Sequence, residues 1–176
     1  AFVARRLRGR AMIGRALMLA GGFAGAALTS QFPEYSQQYT QRLGGAVDAL
    51  SEVVADFDAS ARAEGLSREA ALDQMVGTAF IERRQADMRR TFTRHARLSA
   101  DLSTLQGAGP FTRAWHAYRF TDGEVVRAAL EAYQPALPLT FAGLTFALAG
   151  FAAGLVAIWA VLRLILWPLG GRARRA

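Results

Sequence analysis

Two long apolar runs stand near the ends of the chain, and between them apolar residues recur at spacings of three and four. The carboxy-terminal run, Leu137 to Leu162, reads LPLTFAGLTFALAGFAAGLVAIWAVL, without one charged side chain. A helix of roughly 20 apolar residues crosses a hydrocarbon core about 30 Å thick, so this run predicts a transmembrane helix over 137–162. A buried core helix is the competing reading, but a chain of 176 residues could not surround so long a segment. Ile13 to Leu28 is shorter, is interrupted by Arg15 and contains Gly21, Gly22 and Gly25. It predicts a first transmembrane helix over 13–29, with Arg15 snorkelling to the headgroups. A cleavable signal peptide is the alternative here: basic residues, an apolar stretch, then the small residues Ala24-Gly25-Ala26. The chain as given opens on Ala1; an initiator removed before it is one expectation, and a start at Met12 is another.

The middle, 30–136, shows helical spacing throughout and no alternation of period two. Pro33 suits a first helical turn. Tyr35, Tyr39, Leu43, Val47, Leu50, Val54 and Phe57 then form a one-sided stripe. Gly44 and Gly45 interrupt it, at about 1 kcal/mol each relative to alanine, and are read as a close approach of another backbone. Glu64-Gly65-Leu66 signals the end of this helix.

Ser67 is a good N-cap for a second helix, with Glu69 in its first turn. Its stripe runs Leu72, Met75, Val76, Ala79 and Phe80, then changes phase to Met88, Phe92, His95, Leu98, Leu102 and Leu105. The expectation is a coiled-coil-like hairpin of helices roughly 30 and 38 residues long, spanning about 45–55 Å at 1.5 Å per residue. Neither stripe is fully covered by the other helix alone, so burial against copies or partners is expected. Gly107-Ala108-Gly109-Pro110 ends the hairpin, and a short helix from Phe111 to Phe120 carries Trp115 and Tyr118. Thr121-Asp122-Gly123-Glu124 has capping-box form, with Thr121 as N-cap and Glu124 at N3 of a last helix to Tyr133. Pro135 and Pro138 bracket the entry to the second span.

Charge adds a direction to this pattern. All fourteen acidic residues lie between Glu34 and Glu131, while nine of the twenty-one arginines lie outside that stretch: Arg5, Arg6, Arg8, Arg10 and Arg15 before it, and Arg163, Arg172, Arg174 and Arg175 after it. Basic flanks beside apolar runs stay on the cytoplasmic side. The basic segments 1–12 and 163–176 are therefore expected in the cytoplasm and the middle in the periplasm of a bacterial inner membrane. Trp159 and Trp167 toward the basic end, and Tyr133 before the other, suit aromatic belts. Nucleic acid is not an expected partner despite a pI near 11.1. Cysteine is absent, which excludes structural thiolate metal sites.

Chemistry adds little. No nucleophile motif, phosphate loop, dinucleotide fingerprint or metal-ligand pair is present, and no catalytic residue, cofactor or metal site is read. His95 falls in an apolar stripe, where a packed, hydrogen-bonded histidine is the expectation; His116 lies beside Trp115. The densest charge cluster includes Arg83, Arg84, Arg89, Arg90 and Arg94, candidates for lipid phosphates or an acidic partner, with a solvated helix face as the plainer reading. Gly150 and Gly154 form a small-xxx-small pair with Gly143 one heptad earlier, and Gly21 and Gly25 repeat the spacing in the first run. In lipid such glycines permit close backbone packing, within one chain or between chains.

Two stretches carry a resemblance. Gln31-Phe-Pro-Glu-Tyr-Ser-Gln-Gln-Tyr-Thr-Gln-Arg-Leu-Gly-Gly-Ala-Val-Asp-Ala-Leu50 resembles a proteobacterial family catalogued as domain of unknown function 2937, and Tyr133-Gln-Pro-Ala-Leu-Pro-Leu-Thr-Phe-Ala-Gly-Leu144 is similar to that family's entry into its final span. The similarity runs from Met12 onward, and residues 1–11 lie before it. It implies a small inner-membrane protein with no assigned activity. The reading is an all-α membrane protein, with two transmembrane helices flanking a long periplasmic helical hairpin plus short helices. Its expected role is non-enzymatic, a scaffold that self-associates as a homo-oligomer; the alternative is an accessory subunit of a larger respiratory or photosynthetic membrane complex.

Overall fold

A computed structural model describes residues 2–135, 137 and 139–170, with side chains omitted for 2–11 and 166–170. Pro138, Trp167 and the outer arginines of both basic segments therefore lie outside the described side chains. Among the described residues the chain is helical, without strands: α1 (Phe2–Ser30), α2 (Phe32–Ala63), α3 (Arg68–Asp73), α4 (Ala79–Leu105), α5 (Pro110–Trp115), a 3₁₀ turn (Ala117–Arg119), α6 (Gly123–Glu131) and α7 (Phe141–Gly170). Two compact units result, one of residues 1–34 with 134–176 and one of residues 35–133.

The first unit is the helix pair α1 and α7. Both lie in helical runs long and apolar enough to cross a membrane, with best-window mean hydropathy of 1.4 and 2.1. α7 starts at Phe141 rather than Leu137. Thr140 sets that start: its hydroxyl accepts from Gly143 N–H at 3.0 Å, and its carbonyl accepts from Leu144 N–H at 2.9 Å. Leu137 and Leu139 lie ahead of the helix. Threonine is a good cap because its side chain satisfies an amide that a helix start leaves orphaned.

The second unit is built on α2, α4 and α6. Tyr39, Leu43 and Val47 of α2, Leu98 and Leu105 of α4, and Val125 and Ala129 of α6 form its core. Tyr35, Leu50 and Leu102 pack against that core and are half-buried, Val54 is buried, and the Phe57 and Phe92 rings meet edge-on at 5.2 Å. α2 and α4 run in opposite chain directions, since Phe57 meets Phe92 while Ser51 meets His95.

Gly65 ends α2 as its sequence signal requires, at φ 68°, with Gly65 N–H donating to Arg62 O and Leu66 N–H to Ala61 O. This pair of bonds is a Schellman motif, in which a left-handed residue lets the chain turn back on the last carbonyls. Ser67 caps α3 by accepting from Ala70 N–H at 3.1 Å.

Four expectations need correction. The second helix of roughly 38 residues is two, α3 and α4. Gly77 at φ 110° and the Thr78 N-cap, accepting from Ile81 N–H, separate them at the point where the apolar stripe changes phase. Val76 and Phe80, placed in that stripe, are 61% and 70% exposed. The short helix Phe111–Phe120 is α5 followed by the 3₁₀ turn. Asp122, not Thr121, caps α6, accepting from Glu124 and Val125 N–H, while the Thr121 hydroxyl donates to Asp101. Finally, no backbone approaches Gly44 or Gly45: a Cβ at either would meet nothing within 4 Å.

Candidate functional site

Two constellations stand out, one in each unit. In the first unit the glycines of α1 and α7 face each other. A Cβ on Gly25 would collide with the carbonyl oxygen of Gly150 and lie 3.4 Å from the Gly154 Cα; one on Gly154 would collide with the Gly21 carbonyl oxygen. A Cβ on Gly150 would collide with Thr29 Oγ1. The pairs 21 with 154 and 25 with 150 run in opposite chain directions, so the helices are antiparallel. Thr29 Oγ1 lies 2.6 Å from Phe146 O of α7 and 2.9 Å from Gly25 O of its own helix. Phe23 stacks edge-on against Phe151 at 5.3 Å, and Phe32 lies 5.4 Å from Phe146. Gly22, absent from the expected packing set, also belongs to the seam, because a Cβ there would come within 2.7 Å of the Phe151 ring. Gly143 is buried.

Backbone contact of this kind is what holds helices together in lipid, where burying apolar side chains gains nothing over leaving them among acyl chains. The outward faces carry Leu17, Phe23, Leu28, Leu148, Val156 and Leu164, each between 47% and 76% exposed. Glycine backbone and the Thr29 hydroxyl bring the two helices together along this seam.

In the second unit two nearly buried carboxylates tie α6 and the 3₁₀ turn to α4. Asp122 accepts a two-pronged contact from Arg94, at 3.0 Å on each oxygen, and a third from Arg97 at 3.2 Å, while capping α6. Asp101 accepts from Arg119 at 3.0 Å and from the Thr121 hydroxyl at 3.3 Å. Burial alone would raise the Asp122 carboxyl, but the Arg94 hydrogen bonds, the amides of the α6 cap and the Arg94 charge outweigh it and hold the group below the usual carboxylate range. Tyr39, fully buried behind these groups, is pushed up to about 12, chiefly by desolvation. At the opposite end of α2, Asp58 grips Arg68 at 2.7 and 2.5 Å, and the guanidinium lies 4.7 Å from the centre of the Phe92 ring.

Carboxylates of the same unit pair with much of the arginine cluster. Arg94 pairs with Asp122 and Glu124, Arg89 with Asp73, Arg84 with Asp87 at 3.6 Å, and Arg90 with the same Asp87. Arg83 is exposed beside them. The cluster is thus largely neutralised within the chain. Sequence spacing offers Asp87 two partners, Arg83 at i,i+4 and Arg90 at i,i+3; Asp87 pairs with Arg90 and with Arg84, and Asp122 and Asp73 come to the arginines from other elements.

His95 is hydrogen-bonded, its Nε2 lying 2.9 Å from Ser51 Oγ and 3.4 Å from Ser99 Oγ. Ser51 Oγ also lies 2.8 Å from Val47 O. The histidine thus links α4 to Ser51 of α2. Among the described residues no group of three or more His, Asp or Glu side chains is placed to hold a metal ion. An open groove of about 670 Å³ is lined in part by Gln38, Arg42, Gly45, Arg94 and Glu124.

The chain belongs to the family described as "Protein of unknown function (DUF2937)", whose model matches residues 13–171. No curated protein matches it, and no solved structure does.

Proposed function

We propose that this chain is a non-enzymatic structural protein of a bacterial inner membrane, with both termini cytoplasmic and the 35–133 unit in the periplasm. The glycine seam carries the reading. Two helices long and apolar enough to span a bilayer are clamped backbone to backbone at their glycines. The arginine partition supplies the orientation. Such a pair is a stiff mount for the helical unit.

The surfaces that suggested self-association are used inside the chain. The glycines of α1 meet those of α7, and the stripes of α2 and α4 are covered by each other and by α6. This favours a prefolded unit that joins a larger membrane complex as an accessory subunit. Self-association remains the second version of the structural role and would have to use other faces. Native mass spectrometry of gently solubilised protein separates them: foreign subunits support the first version, one mass repeated supports the second. Reporter fusions test the orientation, with activity expected in the periplasm near Gly65 and in the cytoplasm after Arg175. A cytoplasmic Gly65 would overturn it.

A further inference from the structure

The segment from Gln106 to Thr121 exposes aromatic side chains that the core does not use. Trp115 is 82% exposed and Tyr118 64%. An indole left that far in water forfeits one of the largest apolar burials any side chain offers. The chemistry around it is specific. The segment holds Arg113, His116 and Arg119 and no acidic residue, in a stretch of chain that otherwise carries all fourteen. Tyr118 keeps its polar tip engaged, its hydroxyl 3.2 Å from His116 Nδ1, and the Arg119 guanidinium lies 5.3 Å from the centre of its ring.

Position within the unit narrows the occupant. Phe120, next in the chain, packs against Tyr39 at 4.3 Å and Tyr35 at 6.3 Å, and Tyr35 meets Tyr133 at 6.1 Å. Tyr35 and Tyr133 are the first and last residues of this unit, where the chain passes to the two apolar helices. The exposed aromatics therefore belong to the end of the unit from which both covalent connections leave. Amphipathic rings beside Arg113 and His116, with Arg119 already paired to Asp101, at the end of the unit where the chain passes on to both apolar helices, match the headgroup layer, where tryptophan and tyrosine concentrate and arginine meets lipid phosphate.

We propose that the α5–3₁₀ segment rests in the headgroup layer of the bilayer through Trp115 and Tyr118, giving the helical unit a third attachment beside its two covalent ones. This rests on the membrane reading above. The test is tryptophan fluorescence of the full chain in nanodiscs of phosphatidylcholine and phosphatidylglycerol, with and without brominated acyl chains. In the W159F/W167F variant Trp115 is the sole tryptophan. Its emission is expected to be blue-shifted and largely lost in brominated lipid. Red-shifted, unquenched emission would place Trp115 in water and overturn the proposal. Blue-shifted but unquenched emission would also overturn it, by assigning the surface to a protein partner or a second copy. The W115F/W167F variant, reporting on Trp159 alone, separates the two hypotheses: unquenched Trp159 defeats the membrane reading itself, whereas quenched Trp159 beside unquenched Trp115 defeats only the attachment. Circular dichroism of both variants verifies that they are folded.

Discussion

Between α1 and α7 the closest points hold no side chain at all, since Gly25 faces Gly150 and Gly21 faces Gly154. Between α2 and α4 the space is filled by Tyr39, Leu43, Val47, Leu98 and Leu105. The same chain thus joins helices in two opposite ways. In water, separating large apolar side chains from solvent drives association, at about 25 cal/mol per Å² of apolar surface buried. In lipid that term vanishes between helices, and close backbone packing with an occasional polar bond such as Thr29 to Phe146 O takes its place. A glycine consequently means different things in the two units.

The sharpest way to break the comparison is to put bulk in the seam. Replacing Gly150 and Gly154 with isoleucine keeps the segment apolar, so insertion survives, but both new side chains collide with α1 backbone. Overpacking a close-packed site costs roughly 1–3 kcal/mol per substitution and more where backbone must move. The double variant is expected to lose about 4 kcal/mol or more, read as a large fall in thermal midpoint in detergent. Particle size should stay as in wild type, because the seam lies within one chain. A change in assembly size with unaltered thermal stability would mean that these glycines work between chains.

Leu43→Asp probes the other mode. Leu43 is wholly buried, so an unpaired carboxylate there is expected to cost several kcal/mol, on the order of 3–5. Leu50 is only half-buried, and Leu50→Asp should cost clearly less; Asp56→Asn, on the exposed face, should cost almost nothing. Equal loss at Leu43 and Asp56, measured by chemical denaturation, would show that α2 is not packed through this stripe.

Asp122→Ala removes a helix cap and the partner of Arg94 and Arg97 together. About 2 kcal/mol is expected from the lost cap and the broken charged hydrogen bonds. The depressed carboxyl also sets a pH dependence. A folded-state value below the usual 3.8 means its stabilisation is complete above 3.8 and lost as pH falls through the lower, folded value. Tyr39 acts at the other extreme: raised from 10.0 to about 12, it contributes stability that is intact below pH 10 and lost as pH rises through about 12. Acid and alkaline unfolding of wild type beside Asp122→Ala and Tyr39→Phe would check both, with each variant flattening one limb only.

The smallest expected effect has the opposite sign. Gly44 and Gly45 sit inside α2 with open space where a Cβ would go, so alanine at either should stabilise by up to about 1 kcal/mol. Alanine at Gly25 or Gly150 should destabilise. A higher thermal midpoint for Gly44→Ala together with a lower one for Gly25→Ala would show that the difference lies in the neighbours. Destabilisation by Gly44→Ala instead would indicate that another molecule approaches α2 there.

Local signals in the chain proved readable where the cause is itself local. The Gly65 end of α2 and the Ser67 cap of α3 each need only neighbouring residues, and the two apolar runs need only composition. The break before α4 was also written in the sequence, as Gly77-Thr78 and a phase change in the stripe, yet a continuous helix fits the same spacing when Val76 and Phe80 are assumed buried. Asp122 caps α6 in place of Thr121 for a reason that is partly local, since aspartate is the stronger cap, and partly distant: Arg94 and Arg97, more than twenty residues earlier, hold its carboxylate in place.

What the sequence by itself determined is therefore the helical class, the two apolar runs with glycines at helical spacing, and the residue types that line each stripe. The tertiary structure alone decided that the glycines of α1 meet those of α7, that α6 closes the core left open by α2 and α4, and that most of the arginine cluster is spent on internal carboxylates. The physical reason is that periodicity marks which face of a helix is apolar or small. What covers that face depends on contacts between residues far apart in the chain.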